Sequence, residues 1–95
     1  MLKTPASERR MRILEWLKDP VAHFPPQRRL DLVEDGVTAA AVAEKLHVAR
    51  SVAATDLRIL ASLGLLRTKR ICRHTLYRRD EVRIAEVARL FEKGW

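Results

Sequence analysis

The stretch Val37–Leu60 constrains the fold more than any other part of the chain, because it predicts two helices joined by a tight turn. Thr38 can cap the first helix, and residues 39–43 are mostly alanine, the best helix former. His47 stands where such a turn needs a left-handed residue, and histidine is one of the few non-glycine residues enriched in that conformation. The second helix should then span about Arg50–Ser62.

The two predicted helices share an apolar seam, because apolar residues recur at the helical spacing of three and four. The seam consists of Ala41, Val42, Leu46, Val48, Ala53, Leu57 and Leu60. The other faces of the second helix remain free to contact a partner, and they carry Arg50, Ser51, Ala54, Thr55 and Arg58. A short-turn helix pair of this kind places its second helix in the DNA major groove.

The chain is strongly basic for its size. Its 95 residues include 19 Lys and Arg against 12 Asp and Glu, which gives a net charge of +7 and a pI near 10.5. This length predicts one small domain over residues 1–95. The positive charge favours a polyanionic partner; the alternative is a soluble arginine-rich protein whose charge has no such role.

The sequence argues against disulfide-rich and membrane proteins. The single Cys72 rules out an intramolecular disulfide framework and suits a reducing compartment. No run of residues approaches the roughly 18 apolar residues of a membrane span. The segment Met1–Lys3 leads into charged sequence, unlike a signal peptide. We therefore expect a cytoplasmic protein without a membrane partner.

A first helix is predicted before the helix pair, with Thr4 as its cap and Pro5 at its first helical position. It should end near Lys18, because Pro20 disfavours helical conformation at the residue before it. Its apolar face is formed by Ile13, Trp16 and Leu17. Trp16 is expected in the core, with a role at an interface as the alternative.

The segment Val21–Gly36 is the least regular part of the sequence. Phe24–Gln27 contains two prolines and cannot be a regular helix. Arg28–Glu34 is predicted to form a short helix that Asp35 and Gly36 end.

A basic hairpin is predicted after Gly64, the left-handed stop of the second helix. Its strands should span Leu65–Arg70 and Thr75–Arg79, joined near Cys72 and Arg73. The hairpin carries six cations and no acid, namely Arg67, Lys69, Arg70, Arg73, Arg78 and Arg79. Such a cluster favours contact with a phosphate backbone, and protection of the strand edge by charge is the alternative.

A last helix should begin after Asp80, its cap, and continue to about Lys93. Its apolar stripe consists of Ile84, Val87, Ala88 and Phe91. The hairpin and three helices already suffice to form the core of a small domain, so this stripe is apolar surface in excess of what that core needs. Pairing with the same helix of a second copy would bury it.

Six short motifs run through the chain in a characteristic order and spacing. They are Arg12-Ile13-Leu14, Val42-Ala43-Glu44-Lys45-Leu46, Ser51-Val52, Leu57-Arg58-Ile59-Leu60, Leu63-Gly64-Leu65-Leu66-Arg67 and Thr75-Leu76-Tyr77-Arg78. Together they cover about Glu8–Phe91. In this set the chain resembles the ArsR-type winged helix-turn-helix regulators. The resemblance implies a mainly α (α+β) fold, a winged helix-turn-helix with a two-stranded β-hairpin wing.

The resemblance also implies a homodimer built from the first and last helices, a recognition helix in the major groove and a wing beside the adjacent backbone. Carried onto this chain, the groove-facing positions are Arg50, Ser51, Val52, Ala54 and Thr55, with Arg70 and Arg73 near the wing tip. Arg58, Lys69 and Arg78 complete the predicted DNA-binding set. The predicted dimerisation set is Ile13, Trp16, Leu17, Ile84, Val87, Ala88 and Phe91.

The chain departs from the family's pattern in three places. Ala49 stands where members often carry a capping serine, and alanine cannot cap. Ala54–Asp56 replaces a typical Ser-Arg-His, and the lost arginine and added acid should weaken contacts with phosphates and bases. Ala39–Leu46 lacks the Cys-x-Cys pattern of metal-sensing members, so that metal site is absent.

Other chemistry does not assemble in the sequence. Cys72 and His74 supply two ligands on a hairpin, which is half of a typical metal site. The spacing of Ser, His and Asp suggests no nucleophile–base pair, and the three glycines form no phosphate loop. We expect neither an enzyme nor a bound cofactor.

The sequence therefore predicts a sequence-specific, double-stranded-DNA-binding regulator, a dimeric repressor of the bacterial cytoplasm and nucleoid that excludes polymerase from a promoter. It names no small-molecule inducer. One alternative is a winged-helix module that binds a protein, with Ala54–Asp56 on a surface that does not bind DNA. Another is a redox-responsive regulator, in which Arg70, Arg73 and Arg79 favour the thiolate of Cys72.

Overall fold

A computed structural model describes residues 5–91 of the chain and, at residue 91, the backbone alone. The described part contains helices and strands in the order α1 Ala6–Lys18, α2 Pro20–His23, β1 Val37–Thr38, α3 Ala39–Leu46, α4 Arg50–Ser62, β2 Leu66–Ile71, β3 His74–Arg79 and α5 Glu81–Phe91. None of the described helices is long and apolar enough to cross a membrane.

The first helix ends at Lys18, as predicted, but it begins one residue later than expected. Pro5 has an extended ψ of 149° and precedes the helix, and its carbonyl oxygen accepts a hydrogen bond from the Arg9 backbone at 3.0 Å. The prediction that Pro5 is the first helical residue was therefore wrong. The predicted cap, Thr4, lies outside the described residues.

The helix pair matches its prediction because its signals are local. The Thr38 hydroxyl oxygen accepts a hydrogen bond from the Ala41 backbone at 3.2 Å and caps α3. His47 adopts the left-handed conformation, with φ of 58° and ψ of 45°, and turns the chain toward α4. Ala49 precedes α4 without a side-chain cap. Gly64, with φ of +80°, follows the end of α4.

The segment between α2 and β1 contains turns, so the helix predicted over Arg28–Glu34 was wrong. One carboxylate oxygen of Asp31 accepts hydrogen bonds from the backbones of Val33 and Glu34, both at 2.8 Å. This local pattern competes with helical hydrogen bonds. Arg29 has a φ of 61°, which interrupts a right-handed helix. The short helix α2 was not predicted.

The sheet has three strands in the order β1-β3-β2, one more than predicted. In β1, Val37 pairs with Tyr77 and Thr38 pairs with Leu76. Gly36 permits this approach, because a Cβ there would lie 2.6 Å from the Tyr77 carbonyl oxygen. The glycine therefore admits a strand beside β3, which differs from the helix stop predicted for it.

The wing is the hairpin of β2 and β3; β2 is shifted by one residue from its predicted bounds, and β3 begins one residue earlier than predicted and ends at Arg79 as predicted. Cys72 and Arg73 form the turn, as predicted, and Cys72 has a φ of 55°. Asp80 caps the helix that follows, because its carboxylate accepts a hydrogen bond from the Arg83 backbone at 3.0 Å. That helix is described to Phe91, and its predicted end near Lys93 lies outside the described residues.

The core lies where α1, α3, α4 and the sheet meet. Its fully buried apolar side chains are Ile13, Val37, Val42, Ala53, Leu57 and Leu76. The apolar seam predicted for the helix pair is part of this core: Val42, Ala53, Leu57 and Leu60 are buried, and Ala41, Leu46 and Val48 pack against them. A helix pair followed by a β-hairpin around one such core is a winged helix-turn-helix.

Candidate nucleic-acid interface

The outer face of α4 is formed largely by the predicted positions. Arg50, Ser51, Thr55 and Arg58 are exposed, and Val52 and Ala54 are half-buried. The opposite face of the same helix, with Ala53, Asp56, Leu57 and Leu60, is buried. Contact of the outer face with DNA stays a prediction.

Two side chains of this outer face are held in place by hydrogen bonds along the helix. The Thr55 hydroxyl donates to the Ser51 carbonyl oxygen at 2.9 Å. Its oxygen in turn lies 3.3 Å from a guanidinium nitrogen of Arg58, which donates to it. Arg58 is thus oriented along the outer face, and its remaining N–H groups are available for a phosphate or a base edge.

Asp56 does not lie on this outer face, which corrects two expectations. Its side chain is only 1% exposed and is bound by Arg9 and Arg10 of α1. The acid was expected to weaken contacts with DNA, yet it points into the protein. The helical spacing of α1 also predicts Arg9 and Arg10 on its solvated face, whereas both are partly buried against this carboxylate. The signal was present in the sequence, because positions 53, 56, 57 and 60 follow the spacing of a buried helical face.

Arg79 is one of the wing cations, but its side chain lies in the interior of the protein. It is 8% exposed, and its guanidinium donates to the Leu14 carbonyl oxygen at 2.9 Å. Its Nε lies 2.9 Å from a carboxylate oxygen of Glu81. Arg79 pairs with Leu66 at the base of the wing, whereas Cys72 is at the tip. The expectation that Arg79 favours the Cys72 thiolate was therefore wrong.

Lys69 is exposed, but it forms an ion pair with a carboxylate. Its ammonium group lies 2.9 Å from a carboxylate oxygen of Asp35, in the turn before β1. The Asp31 backbone N–H donates to the other oxygen of Asp35 at 2.9 Å. This backbone bond, followed by the bond from Lys69, lowers the pKa of Asp35. Sequence neighbours alone had suggested a hairpin without carboxylates, and Asp35 supplies one from a distant segment.

Four arginines remain as the cationic surface of the wing. Arg67, Arg70, Arg73 and Arg78 are exposed, and none of the four forms an ion pair with a described residue. Arg67 and Arg78 stand opposite each other across the two strands, while Arg70 pairs with Thr75 near the tip. Arg73 lies in the turn itself. Four unpaired cations on one hairpin create a positive potential that a phosphate backbone would neutralise.

A cleft of about 190 Å³ joins the wing to the helix pair. Its lining comes from three elements, namely the start of α3, the outer face of α4 and the wing: Thr38, Ala39, Arg50, Ala54, Arg73, His74, Thr75 and Tyr77. Arg50 and Arg73, which are 23 positions apart in the sequence, therefore border one cavity. The N-terminal end of α3 adds the positive end of a helix dipole to the same place.

The predicted dimerisation residues divide between the core and the surface. Ile13, Leu17 and Ile84 are buried within the protomer. Trp16 and Val87 are partly buried against the core, and Ala88 is half-buried. The side chain of Phe91 lies outside the described residues. Among the described side chains, the large apolar ones that are exposed on α1 and α5 are Met11, Val82 and Leu90.

Trp16 connects the first helix to the helix pair. Its ring meets that of Phe24 edge-on, with centroids 6.3 Å apart. The ammonium group of Lys45, on α3, lies 5.0 Å from the centroid of the Trp16 ring. These contacts agree with the expectation that Trp16 packs within its own chain, and they fix α3 beside α1.

No group of three or more His, Cys, Asp or Glu side chains able to hold a metal ion occurs within residues 5–91. Cys72 is exposed and has a free thiol. It lies in the turn at the wing tip, where its backbone has a positive φ of 55°.

The chain matches no known protein-family profile. It is similar to the uncharacterized HTH-type transcriptional regulator YbzH of Bacillus subtilis (strain 168), with 38% identity over 88 residues. The similarity covers 93% of this chain and 88% of that protein. It extends through the helix pair and the wing, the two elements that form the cationic cleft. The chain therefore belongs to the family of helix-turn-helix (HTH) type transcriptional regulators.

Proposed function

We propose that the protein is a dimeric transcriptional repressor that binds double-stranded DNA in the bacterial cytoplasm. In this proposal it is an ArsR-type winged helix-turn-helix regulator without the Cys-x-Cys metal site. The dimer, seated on a promoter, excludes polymerase.

The observation that carries the proposal is the cleft between α4 and the wing. Arg50 and Arg73 border it from two elements, and Thr38 and Ala39 at the start of α3 line it as well. No acidic residue lines this cleft. Phosphate oxygens are the ligands that guanidinium groups and helix N-termini bind best. A DNA strand that entered the cleft would contact α4 and the wing together.

The two cationic elements have different tasks in this proposal. Arg50 lies in the first turn of α4, the end that approaches base edges in helix-turn-helix docking. There a bidentate contact with guanine supplies about 1–3 kcal/mol of base discrimination. Arg67, Arg70, Arg73 and Arg78 bind phosphates, which fixes the position of the protein on the duplex without reading sequence.

The dimer would form through α1 and α5. Met11, Val82 and Leu90 are 53%, 71% and 78% exposed in the protomer. Ile13, Leu17 and Ile84 are buried in the protomer, so they would hold α1 and α5 in place rather than touch the second copy. A twofold dimer presents two α4 helices, so it would bind two half-sites about one helical turn of DNA apart.

The alternative of a protein-binding module loses its main support. It relied on an acid at position 56 of the outer face, and Asp56 is buried. A salt titration separates the two functions, because DNA binding through roughly six or more phosphate contacts weakens by orders of magnitude between about 50 and 200 mM salt.

Competition binding tests the division of tasks. A preferred site is first selected by the wild-type protein from randomised duplexes. Arg50→Ala should weaken binding to this site about tenfold or more and change binding to random duplex less. Arg73→Ala should weaken binding to the selected site and to random duplex alike. It should also lower the salt slope, the steepness with which the logarithm of the affinity falls with the logarithm of the salt concentration, by roughly one.

Arg28→Ala is the matched control, since Arg28 is exposed outside the cleft and carries the same charge. It should change neither affinity by more than the loss of one remote charge. A wild-type protein that selects no duplex, or that binds duplex with no salt dependence, would contradict the proposed function.

A further inference from the structure

Asp56 is the one carboxylate on the buried face of α4. Its neighbours in the sequence on either side face different ways, because Thr55 is exposed and Leu57 is buried. Arg58, two positions later, lies on the outer face with Thr55. Asp56 thus belongs to α4, which carries the outer face, but its side chain lies in the interior of the protein.

Three nitrogen atoms from α1 converge on this carboxylate. The Arg9 Nε lies 2.7 Å from Oδ2, and the Arg9 Nη2 lies 3.4 Å from Oδ1. The Arg10 Nε donates to Oδ1 at 3.0 Å. Successive residues of a helix point about 100° apart, so two adjacent arginines that bond one carboxylate restrict how α4 can lie against α1.

The cluster does more to define geometry than to add stability. A buried ion pair often stabilises a fold no better than apolar residues of the same volume, because desolvation offsets the attraction. Its directional hydrogen bonds, however, favour the arrangement of α1 and α4 in which all of them are made. An apolar contact at this place would let α4 slide or rotate against α1.

The same helix also holds the wing. The Leu14 carbonyl oxygen, about 6 Å along α1 from Arg10, accepts the hydrogen bond from Arg79 at the base of the wing. Helix α1 is therefore bonded by side chains to both cationic elements of the interface. The Asp56 cluster sets where α4 lies relative to a wing that is itself fixed on α1.

We propose that Asp56, with Arg9 and Arg10, is a positioning cluster that sets the orientation of α4 and so determines how well the protein discriminates DNA sequences, although Asp56 does not reach DNA. The inference rests on the proposed function. Arg50 lies about 9 Å along α4 from Asp56, so tilting the axis of α4 by roughly 10° about Asp56 moves Arg50 by about 1.5 Å. Productive contacts require placement within about 0.5 Å.

The test compares Asp56→Asn with wild type on the selected site and on random duplex, at a temperature where both proteins are fully folded. Asparagine keeps the shape and one acceptor but removes the charge. The ratio of the two affinities should fall about tenfold, while affinity for random duplex should stay level or rise because one negative charge is lost. Glu34→Gln removes the same charge from an exposed turn and should leave the ratio unchanged.

Arg10→Gln is a milder variant that leaves Asp56 paired with Arg9 by two bonds. It should lower the ratio by a smaller factor, whereas a lost phosphate contact would lower both affinities equally and leave the ratio unchanged. Residual dipolar couplings from the same proteins measure the angle between α1 and α4 without DNA. That angle should change in Asp56→Asn.

The outcomes separate the two claims. If the wild type discriminates between duplexes and the folded Asp56→Asn variant keeps the same ratio and interhelical angle, the positioning inference is wrong and the proposed function stands. If the wild type does not select any duplex, the proposed function is wrong, and the inference fails with it. If Asp56→Asn does not fold, the result for Arg10→Gln decides.

Discussion

Arg67 and Arg78 lie directly opposite each other across the two strands of the wing, and both are exposed. Like charges in this position destabilise an antiparallel pair. The wing therefore retains a repulsion that a neutral pair would remove, and the proposed phosphate contacts account for it.

Replacing one of these two arginines should stabilise the free protein and weaken DNA binding. Arg78→Gln should raise the free energy of unfolding by about 0.5 kcal/mol in low salt. The gain should shrink in 1 M salt, where charges are screened within about 3 Å. Affinity for duplex DNA should fall, and the salt slope should decrease by roughly one.

Arg70→Gln is the control for this effect, since Arg70 pairs with Thr75 and faces no cation across the strands. It should reduce DNA affinity similarly without the gain in stability. Chemical denaturation of both variants at two salt concentrations measures the difference. An equal gain for the two variants would contradict repulsion between Arg67 and Arg78.

The missing cap of α4 predicts a stabilising substitution. The side chain of Ala49 accepts no hydrogen bond, so the backbone N–H groups in the first turn of α4 have no side-chain cap. Ala49→Ser should raise the free energy of unfolding by about 1 kcal/mol, within a range of roughly 0.5–2 kcal/mol. Ala85→Ser makes the same chemical change at an exposed position inside α5 and should cost about 0.5 kcal/mol. Urea denaturation distinguishes the opposite signs.

Two glycines with positive φ should respond differently to the same substitution. At Gly36 a new Cβ would lie 2.6 Å from the backbone oxygen of Tyr77, which cannot move without opening the sheet. Gly36→Ala should therefore cost about 3 kcal/mol or more. At Gly64 the nearest atom is Nε of the flexible Arg83 side chain at 3.2 Å, so Gly64→Ala should cost about 1 kcal/mol from backbone strain. Equal losses of thermal stability would show that the contact with Tyr77 does not matter.

Asp35 should make the stability of the protein depend on pH in the acidic range. Folding lowers its pKa below the ordinary value of 3.8, first through the hydrogen bond from the Asp31 backbone and then through Lys69. A carboxyl group with a lowered pKa stabilises the fold above its ordinary pKa, and this contribution disappears as pH falls through the folded pKa. Stability should therefore fall below about pH 4, and less steeply in Asp35→Asn.

Lys69→Gln removes only the smaller of these two causes. It should leave part of the acid dependence in place, because the backbone donor of Asp31 remains. Denaturant midpoints measured from pH 6 to pH 2.5 compare the three proteins. An identical slope for Asp35→Asn and wild type would exclude Asp35 as the source.

The elements that could be predicted from sequence are those whose signals are local. The cap at Thr38, the left-handed His47 and the end of α4 at Ser62 each depend on residues within a few positions, and all three were predicted correctly. The wing followed from its length and its turn at Cys72 and Arg73. Each of these elements can be decided from its own residues without knowing what packs against it.

The parts that could not be predicted depend on distant partners. Asp56 is bound by residues 46 and 47 positions away, and no local pattern identifies them. The strand β1 has two residues, too few for an alternating pattern, and exists because β3 offers a free edge. The family resemblance placed Asp56 on the outer face by its motif position, whereas its spacing from Ala53 and Leu60 indicated the inner one.

The short strand β1 holds one part of the wing and leaves its tip free. Leu76 and Tyr77, in the middle of β3, pair with β1 on one side and with β2 on the other, so this part of the hairpin cannot bend without breaking a strand pairing. From Arg70 to Thr75 the two strands pair only with each other, and backbone amides there should exchange with solvent faster than those of Leu76 and Tyr77. Arg70 and Arg73 ride on this compliant end. In the proposed complex with DNA they would follow grooves of different width, while Thr38, which belongs to β1 and also caps α3, links the sheet to the helix pair.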